Sequence, residues 1–188
     1  MLAELHIPDG EVSRYATAAD FGEVFTEEMH GLYLLSFLLT ADKDKAERCF
    51  IGGLGECLEG MGAFMEWARL WARRAIIRQA IRMIKPVPED TNLLPLVNVD
   101  WPGAALQSNN LLAAIVSLTH FERFVFVMSI LERLSDGDCL SLLRCSRREL
   151  DMARELAVRF LATTDTGSDY PRQALSAWQD FFSSPQPA

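Results

Sequence analysis

In residues 135–150, SDGDCLSLLRCSRREL, a serine twice stands three residues before an acid, first at Ser135 and again at Ser146. At this spacing the serine and the acid satisfy the free amides at the start of a helix. The stretch therefore predicts a short helix over residues 136–143, a turn over 144–146 and a longer helix after the turn. This order is typical of a helix-turn-helix, although an ordinary helical hairpin has the same pattern.

The longer helix has an apolar side and a polar side. Apolar residues at helical spacing are predicted to face inward, namely Leu150, Ala153, Ala157, Phe160 and Leu161. In a helix-turn-helix, the first residues of the second helix enter the major groove of DNA, where the positive end of the helix also favours phosphate. The side chains that would be presented to DNA are Arg147, Arg148, Asp151 and Arg154.

Two helical blocks are expected on either side of a proline-containing segment. Residues 86–110 hold four prolines together with several Asn and Asp residues, a composition that interrupts helices and marks a linker. The blocks are residues 15–85 and 111–161, and a tail over 162–188 has apolar residues at helical spacing. The predicted fold is all-α, with two small helical domains joined by a Pro-rich linker and a helix-turn-helix in the second domain.

Three helices are expected in the first block. Apolar residues from Phe21 to Leu39 fall on one helical face, and Asp44 and Glu47 have the capping spacing for a second helix. The apolar stripe of that second helix consists of Ala46, Cys49, Phe50, Leu54, Cys57, Leu58 and Met61. Its three glycines, at positions 52, 53 and 55, are expected to weaken it by about 0.5–1 kcal/mol each.

The third helix, over residues 63–85, lies in a basic segment of an acidic protein. The chain carries a net charge of −8, but residues 61–86 hold six basic side chains and one acidic one. The basic face consists of Arg74, Arg78, Arg82 and Lys85, with Trp67 and Trp71 toward the helix start. Arginines at this spacing can follow phosphates, and exposed indoles can stack on unpaired bases. A solvated charged face and a membrane-surface helix give the same pattern.

Several other classes of protein lack support in the sequence. There is no phosphate-binding loop, nucleophile elbow or H-E-x-x-H motif, so we expect neither an enzyme nor a cofactor. The histidines are dispersed and complete no metal-ligand pattern. The cysteines form no C-x-x-C pair and are predicted to be buried reduced thiols. No apolar run reaches the roughly 18 residues of a membrane span, so we expect a soluble, cytoplasmic protein without membrane insertion.

Four short stretches resemble the extracytoplasmic-function sigma factors, the two-domain branch of the bacterial sigma factors. AERCFI at residues 46–51 stands where that family usually has AEDLVQ, and WARLWARR at 67–74 resembles its tryptophan-led helix. LTHFERFVF at 118–126 is similar to the helix that opens its second domain, and LLRCS at 142–146 to the centre of its helix-turn-helix. The likeness covers approximately residues 21–161 and lies in the order and spacing of these motifs.

The resemblance implies that the chain binds core RNA polymerase and promoter DNA in transcription initiation, with an anti-sigma protein as a further partner. It implies polymerase binding by Glu47, Arg48 and Ile51. It implies that the downstream promoter element is melted and bound by Trp67, Trp71, Arg73, Arg74, Arg78 and Arg82. It implies that the upstream element is read by Arg144, Ser146, Arg147, Arg148, Asp151 and Arg154.

The chain departs from the family pattern at four of these positions. Arg48 replaces an acid, Ile51 a glutamine, Arg74 an asparagine and Asp151 a lysine. A carboxylate at position 151 repels phosphate but can accept a hydrogen bond from a cytosine amino group. The sequence therefore leaves two alternatives to a sigma factor. One is a sigma-like interaction protein without promoter activity, and the other is a dimeric helix-turn-helix regulator that binds a palindromic duplex unaided.

Overall fold

The computed structural model describes residues 15–60, 63–88 and 110–164, and the secondary structure in these ranges is helical apart from one isolated bridge between Tyr15 and Phe64. The α-helices are α1 Ala18–Glu27, α2 Met29–Thr40, α3 Lys43–Glu59, α4 Ala68–Ile84, α5 Asn110–Ser117, α6 His120–Phe126, α7 Asp136–Leu143 and α8 Arg147–Thr164. The all-α prediction is confirmed. Most of the predicted linker and nearly all of the tail lie outside the described residues.

The first helical block consists of α1 to α4. α1 begins at a capping box in which Thr17 accepts from the amide of Asp20 while the Asp20 side chain accepts from the amide of Thr17, a signal that the sequence analysis missed. The single apolar face predicted from Phe21 to Leu39 is divided between α1 and α2 at Glu28. Just before this break, the hydroxyl of Thr26 donates to the carbonyl of Gly22, a contact that bends helices.

α3 starts two residues earlier than the sequence predicts. Asp42, rather than Asp44, is the N-cap, and its carboxylate accepts from the amide of Lys45 at 2.8 Å. Asp42 takes this role because Ala41 is in the left-handed conformation and Asp42 is extended, so the helix starts directly afterwards. Leu58, which was predicted to face inward, is exposed.

Two glycines of α3 lie where the helix approaches α4. A Cβ atom on Gly53 would stand 2.5 Å from Cδ1 of the buried Ile76, and one on Gly52 would stand 3.2 Å from the Gln79 side chain. The prediction that these glycines weaken the helix omitted this role in packing. A side chain at position 53 would push the two helices apart, so glycine allows their close contact.

α4 follows one turn of 3₁₀ helix, Met65–Trp67, and ends where Lys85 adopts a left-handed conformation. The predicted helix over residues 63–85 is therefore shorter at its start. Periodicity predicts one apolar face for this helix, formed by Ala72, Ile76, Ile77, Ala80, Met83 and Ile84. The first four are at 0% exposure, whereas Met83 and Ile84 are half-buried. Fully burying an aliphatic side chain of the size of Ile contributes about 1.5–3 kcal/mol, so this face anchors the helix.

The second helical block consists of α5 to α8. Apolar residues at helical spacing from Leu111 to Leu134 predict continued helix. The α-helix is interrupted, because α6 passes into a π-turn, Val127–Leu131, in which the amide of Glu132 donates to the carbonyl of Val127. α7 has the predicted bounds, and α8 begins directly after residues 144–146 as predicted but extends to Thr164, past the predicted end of the block at 161. Phe160, predicted to face inward, is 39% exposed because it lies about 60–100° from the buried Ala157 and Leu161 around the helix.

Buried apolar residues of the two blocks form one continuous cluster. It includes Leu32, Leu35 and Ile76 from the first block and Phe124 and Met128 from the second. Helix α2 contacts α5 and α6, and α4 contacts α7. Since the described residues share one core, the predicted division into two separate domains is not confirmed.

Candidate nucleic-acid interface

The arginines of α4 form the first part of the candidate interface, and Arg73 is the most enclosed of those assigned to DNA. Its guanidinium donates to both carboxylate oxygens of Glu132, at 2.7 and 2.8 Å, and to Glu28 at 3.1 Å. The Glu132 side chain is only 7% exposed. Burial opposes the charge on Arg73, but the carboxylates of Glu132 and Glu28 outweigh it and raise the pKa of the guanidinium.

Arg74 contacts a second acid from the second block. Its Nη2 lies 3.0 Å from Oδ2 of Asp138, an oxygen that also accepts from the hydroxyl of Ser135 at 2.8 Å. The buried Nε of Arg74 finds no acceptor within the described ranges, nor does the indole Nε1 of Trp71. Arg73 and Arg74, both assigned to the downstream element, are thus bound to carboxylates that lie 59 and 64 residues away in the sequence.

Arg78 and Arg82 bind a carboxylate of their own block. Both donate to Glu56 of α3, one to each oxygen. The guanidinium of Arg78 also lies over the Trp71 ring, 5.1 Å from its centroid, in a cation–π arrangement. The four arginines that were assigned to the downstream element therefore all form ion pairs inside the protein.

The two tryptophans of this region lie in different environments. Trp67 is 57% exposed and contacts Phe64 edge-on, with ring centroids 5.9 Å apart. Phe64 in turn stacks on Tyr15 at 4.7 Å, so an aromatic surface stands at the start of α4. Trp71 is half-buried beneath Arg78. Only Trp67 presents an indole that can stack on an unpaired base without rearrangement.

The turn between α7 and α8 has the geometry that its two capping signals predict. The Ser135 hydroxyl accepts from the amide of Asp138 at 3.1 Å. At the next start, the amide and hydroxyl of Ser146 each donate to Glu149 at 2.7 Å and lower the pKa of that carboxyl. Arg144 closes α7 in the left-handed conformation. Each cap forms within a few residues, which is why the sequence predicts it.

Apart from Ser146, which caps α8, the residues assigned to the upstream element divide into two groups. Asp136 binds Arg147 at 2.8 Å and Arg154 at 2.6 Å, and these two arginines also contact Asp151. The hydrogen bond from Arg154, with the charge of Arg147, holds the pKa of the Asp136 carboxyl below its usual value. Asp151, which replaces the usual lysine, thus balances charge within the helix pair. This group joins α7 to α8, although the side chains of Arg147 and Asp151 remain 63% and 50% exposed.

Arg144 and Arg148 form the second group. Both are exposed, and neither forms an ion pair with any other residue that the structure describes. Arg148 lies in the first turn of α8, and Arg144 is the C-cap of α7 and the first of the residues that join the two helices. These two cations are the ones available to a ligand at the positive end of α8.

The residues assigned to polymerase binding share one exposed face of α3. Glu47, Arg48 and Ile51 are all exposed, and Ile51 has 60% of its surface open. The exposed Leu58 lies two turns after Ile51 on the same face, with Gly55 between them and no atom within 4 Å of a Cβ built there. Sequence reasoning missed Leu58, although its spacing of seven from Ile51 places it on that side.

Arg123 is a buried cation that joins the two blocks. It is 2% exposed and donates to the carbonyls of Val116 and Leu118 at 3.0 Å and, across the blocks, to that of Leu39 at 3.4 Å. Burial lowers its pKa to about 10. No carboxylate is among these contacts, so helix-end carbonyls balance its charge. Arg123 lies within the stretch 118–126 that resembles a sigma-factor helix, but nothing in the sequence indicates this link between the blocks.

Other kinds of site find little support in the described part of the chain. All four cysteines are free, and three of them are buried as predicted, whereas Cys145 is half-buried. Within 15–60, 63–88 and 110–164, no group of acidic, histidine or cysteine side chains could hold a metal ion. No helix in these ranges is both long and apolar enough to cross a bilayer.

Comparison with protein-family models, with curated proteins and with solved structures gives no match to this chain.

Proposed function

We propose that this chain is a sigma-like transcription initiation protein that binds core RNA polymerase and promoter DNA in the cytoplasm. In this proposal the two helical blocks act as domains, and the Pro-containing segment 86–110 is the linker between them. The observation that carries the proposal is the capped turn between α7 and α8, which leaves Arg144 and Arg148 exposed at a helix start.

Upstream DNA recognition would use the start of α8. The free amides and positive end of a helix favour phosphate, and arginines there can reach phosphates or the edges of guanines. Arg144 and Arg148 supply those cations. The network of Asp136, Arg147 and Arg154 holds α7 against α8, so that the two exposed arginines keep a fixed separation.

Polymerase binding would use the exposed face of α3. Ile51 and Leu58 provide an apolar centre, and Glu47 and Arg48 provide charges at its edge. An apolar centre with a polar rim is the usual arrangement of a protein-binding surface. Gly55 between the two apolar residues leaves room for a partner to approach the helix closely.

A sigma-like interaction protein without promoter activity is the second candidate, and the ion pairs of α4 favour it. Arg73, Arg74, Arg78 and Arg82 are all bound to acids of this chain. Binding of DNA phosphate by these residues requires that those pairs break, whereas binding of polymerase through α3 does not.

Two variants test the proposal in a pull-down with core polymerase and genomic DNA fragments. We expect Ile51→Glu to abolish capture of polymerase, because a charge would enter the apolar centre. We expect R144A/R148A to keep polymerase capture but to lose selective DNA retention, because two cations that contact DNA are removed. The salt dependence of the remaining DNA binding should also decrease, since each lost phosphate contact lowers it. Arg159→Ala is the control, because Arg159 is exposed on the same helix about 16 Å away.

The outcomes separate the candidates. If the wild type and its variants retain no DNA although the wild type captures polymerase, the chain is a sigma-like interaction protein without promoter activity. A dimer that binds palindromic duplex without polymerase supports the dimeric regulator instead. If R144A/R148A loses polymerase capture to the same extent as Ile51→Glu, the assignment of roles to the two blocks is wrong.

A further inference from the structure

We propose that the described arrangement is a closed state, in which Glu132 and Asp138 of the second block occupy the arginines of α4 that promoter DNA would need. This inference rests on the proposed function. The juxtaposition that carries it is the pairing of Arg73 with Glu132 and of Arg74 with Asp138, across 59 and 64 residues of sequence.

The carboxylates take the place of phosphate in chemical terms. A bidentate contact to a guanidinium is the geometry that both carboxylates and phosphates adopt with arginine. Glu132 makes this contact with Arg73 through both oxygens. Since Glu132 is almost wholly enclosed, a DNA strand cannot reach Arg73 from that side while the blocks stay together.

The link between the blocks is reinforced at a second place. Arg123 donates to the Leu39 carbonyl at the end of α2, but at 3.4 Å these bonds are long. In the described part of the chain, the ion pairs of Arg73 and Arg74 and this weaker contact are the polar connections between the blocks, beside the apolar contacts of α2 with α5 and α6. Neutralising Glu132 and Asp138 would remove the ion pairs between the two blocks and leave the apolar contacts between them.

The proposed polymerase face is free in the closed state. Glu47, Arg48 and Ile51 are exposed on α3, and α3 is separate from the contact between α4 and α7. The closed protein is therefore competent to bind polymerase but not to bind the downstream strand through Arg73 and Arg74. Separation of the blocks on polymerase would then couple DNA binding to assembly of the holoenzyme.

The experiment compares the full chain with E132Q/D138N. The control E59Q/E155Q neutralises two exposed acids outside the contact and gives the same net charge. One measurement is binding of a fluorescent single strand of roughly 16 mixed nucleotides to the free protein. The second is the radius of gyration from small-angle X-ray scattering. The third is binding to core polymerase.

We expect E132Q/D138N to bind the single strand roughly tenfold more tightly than the control, within the usual range for coupled equilibria, and to have a larger radius of gyration. Its affinity for polymerase should be higher than that of the control, because a partner that favours separated blocks binds an already opened chain more tightly. Unchanged DNA affinity overturns the closed-state inference, whether or not the radius increases. If DNA affinity is unchanged but the full chain still directs run-off transcription, only the closed-state inference is wrong. If run-off transcription also fails, the proposed function is wrong as well.

Discussion

Arg123 of α6 donates to the main-chain oxygen of Leu39 at the end of α2, at 3.4 Å and across 84 residues of sequence. The same guanidinium donates to two carbonyls at the end of α5, those of Val116 and Leu118. A side chain that was read only as part of a motif is therefore a buried connection between the two helical blocks.

Arg123→Met should reduce the free energy of unfolding by about 2–4 kcal/mol, because three buried carbonyls lose their donor while much of the side-chain volume is retained. Urea denaturation followed by circular dichroism measures this change. Arg159→Met, on an exposed face of α8, should change it by less than about 0.5 kcal/mol. Equal effects of the two substitutions would show that Arg123 has no special structural role.

Gly53 and Gly55 should respond in opposite directions to alanine. Gly53→Ala places a methyl group 2.5 Å from Ile76 and should destabilise the protein by about 1–3 kcal/mol. Gly55→Ala meets no atom within 4 Å and should stabilise it by about 0.5–1 kcal/mol through helix propensity. Denaturation midpoints of the two variants decide this. Stabilisation by both would mean that α3 and α4 do not approach closely at Gly53.

Alkaline pH should destabilise the protein through its buried thiols. Burial raises the pKa of Cys49, Cys57 and Cys139 from the ordinary value of 9.0 to about 11. The folded thiols keep their protons when the unfolded ones ionise, so stability is complete below about pH 9 and is lost as the pH rises toward 11. The loss between pH 8 and pH 10 should be on the order of 1 kcal/mol per thiol.

The measurement is urea denaturation at pH 8 and pH 10 for the wild type and for C49A/C57A. Arg123 acts in the opposite direction from about pH 9 upward, because its lowered pKa of about 10 favours the folded, uncharged form. Since Arg123 is present in both proteins, the difference between them isolates the contribution of the thiols. If the free energy of unfolding falls between pH 8 and pH 10 by the same amount in C49A/C57A as in the wild type, the thiol explanation is wrong.

Thiol reagents should modify Cys145 before the other cysteines. Cys145 is half-buried, whereas Cys49, Cys57 and Cys139 are buried. A colorimetric disulfide reagent is expected to react with one thiol of the native protein and with all four after unfolding. Cys145→Ala should remove the early phase. Rapid reaction of several thiols in the native protein would indicate that the core opens readily.

The sequence predicts well those features that are set by neighbours in the chain. α7, the turn at 144–146 and the start of α8 follow from two serine N-caps, each closed within three residues: Ser135 accepts from the amide of Asp138, and Ser146 forms a full capping box with Glu149. The buried face of α4 follows from helical periodicity. The start of α3 was misplaced only because Asp42 and Asp44 are both capable caps, and the left-handed Ala41 selects the first.

Features set by distant residues were not predictable in the same way. No periodicity indicates that Arg73 will contact Glu132 or that Arg74 will contact Asp138, because these partners belong to another helical block. The packing role of Gly53 depends on Ile76, which lies on another helix. The candidate site was thus predictable as a set of residue types on helical faces, but its ion pairing was not.

Run-off transcription by core polymerase supplemented with this chain, on a library of genomic fragments, tests the central proposal most directly. We predict discrete transcripts that R144A/R148A abolishes and Arg159→Ala leaves intact. Absence of any transcript, under conditions in which a control sigma factor directs transcription by the same polymerase, would contradict the proposal.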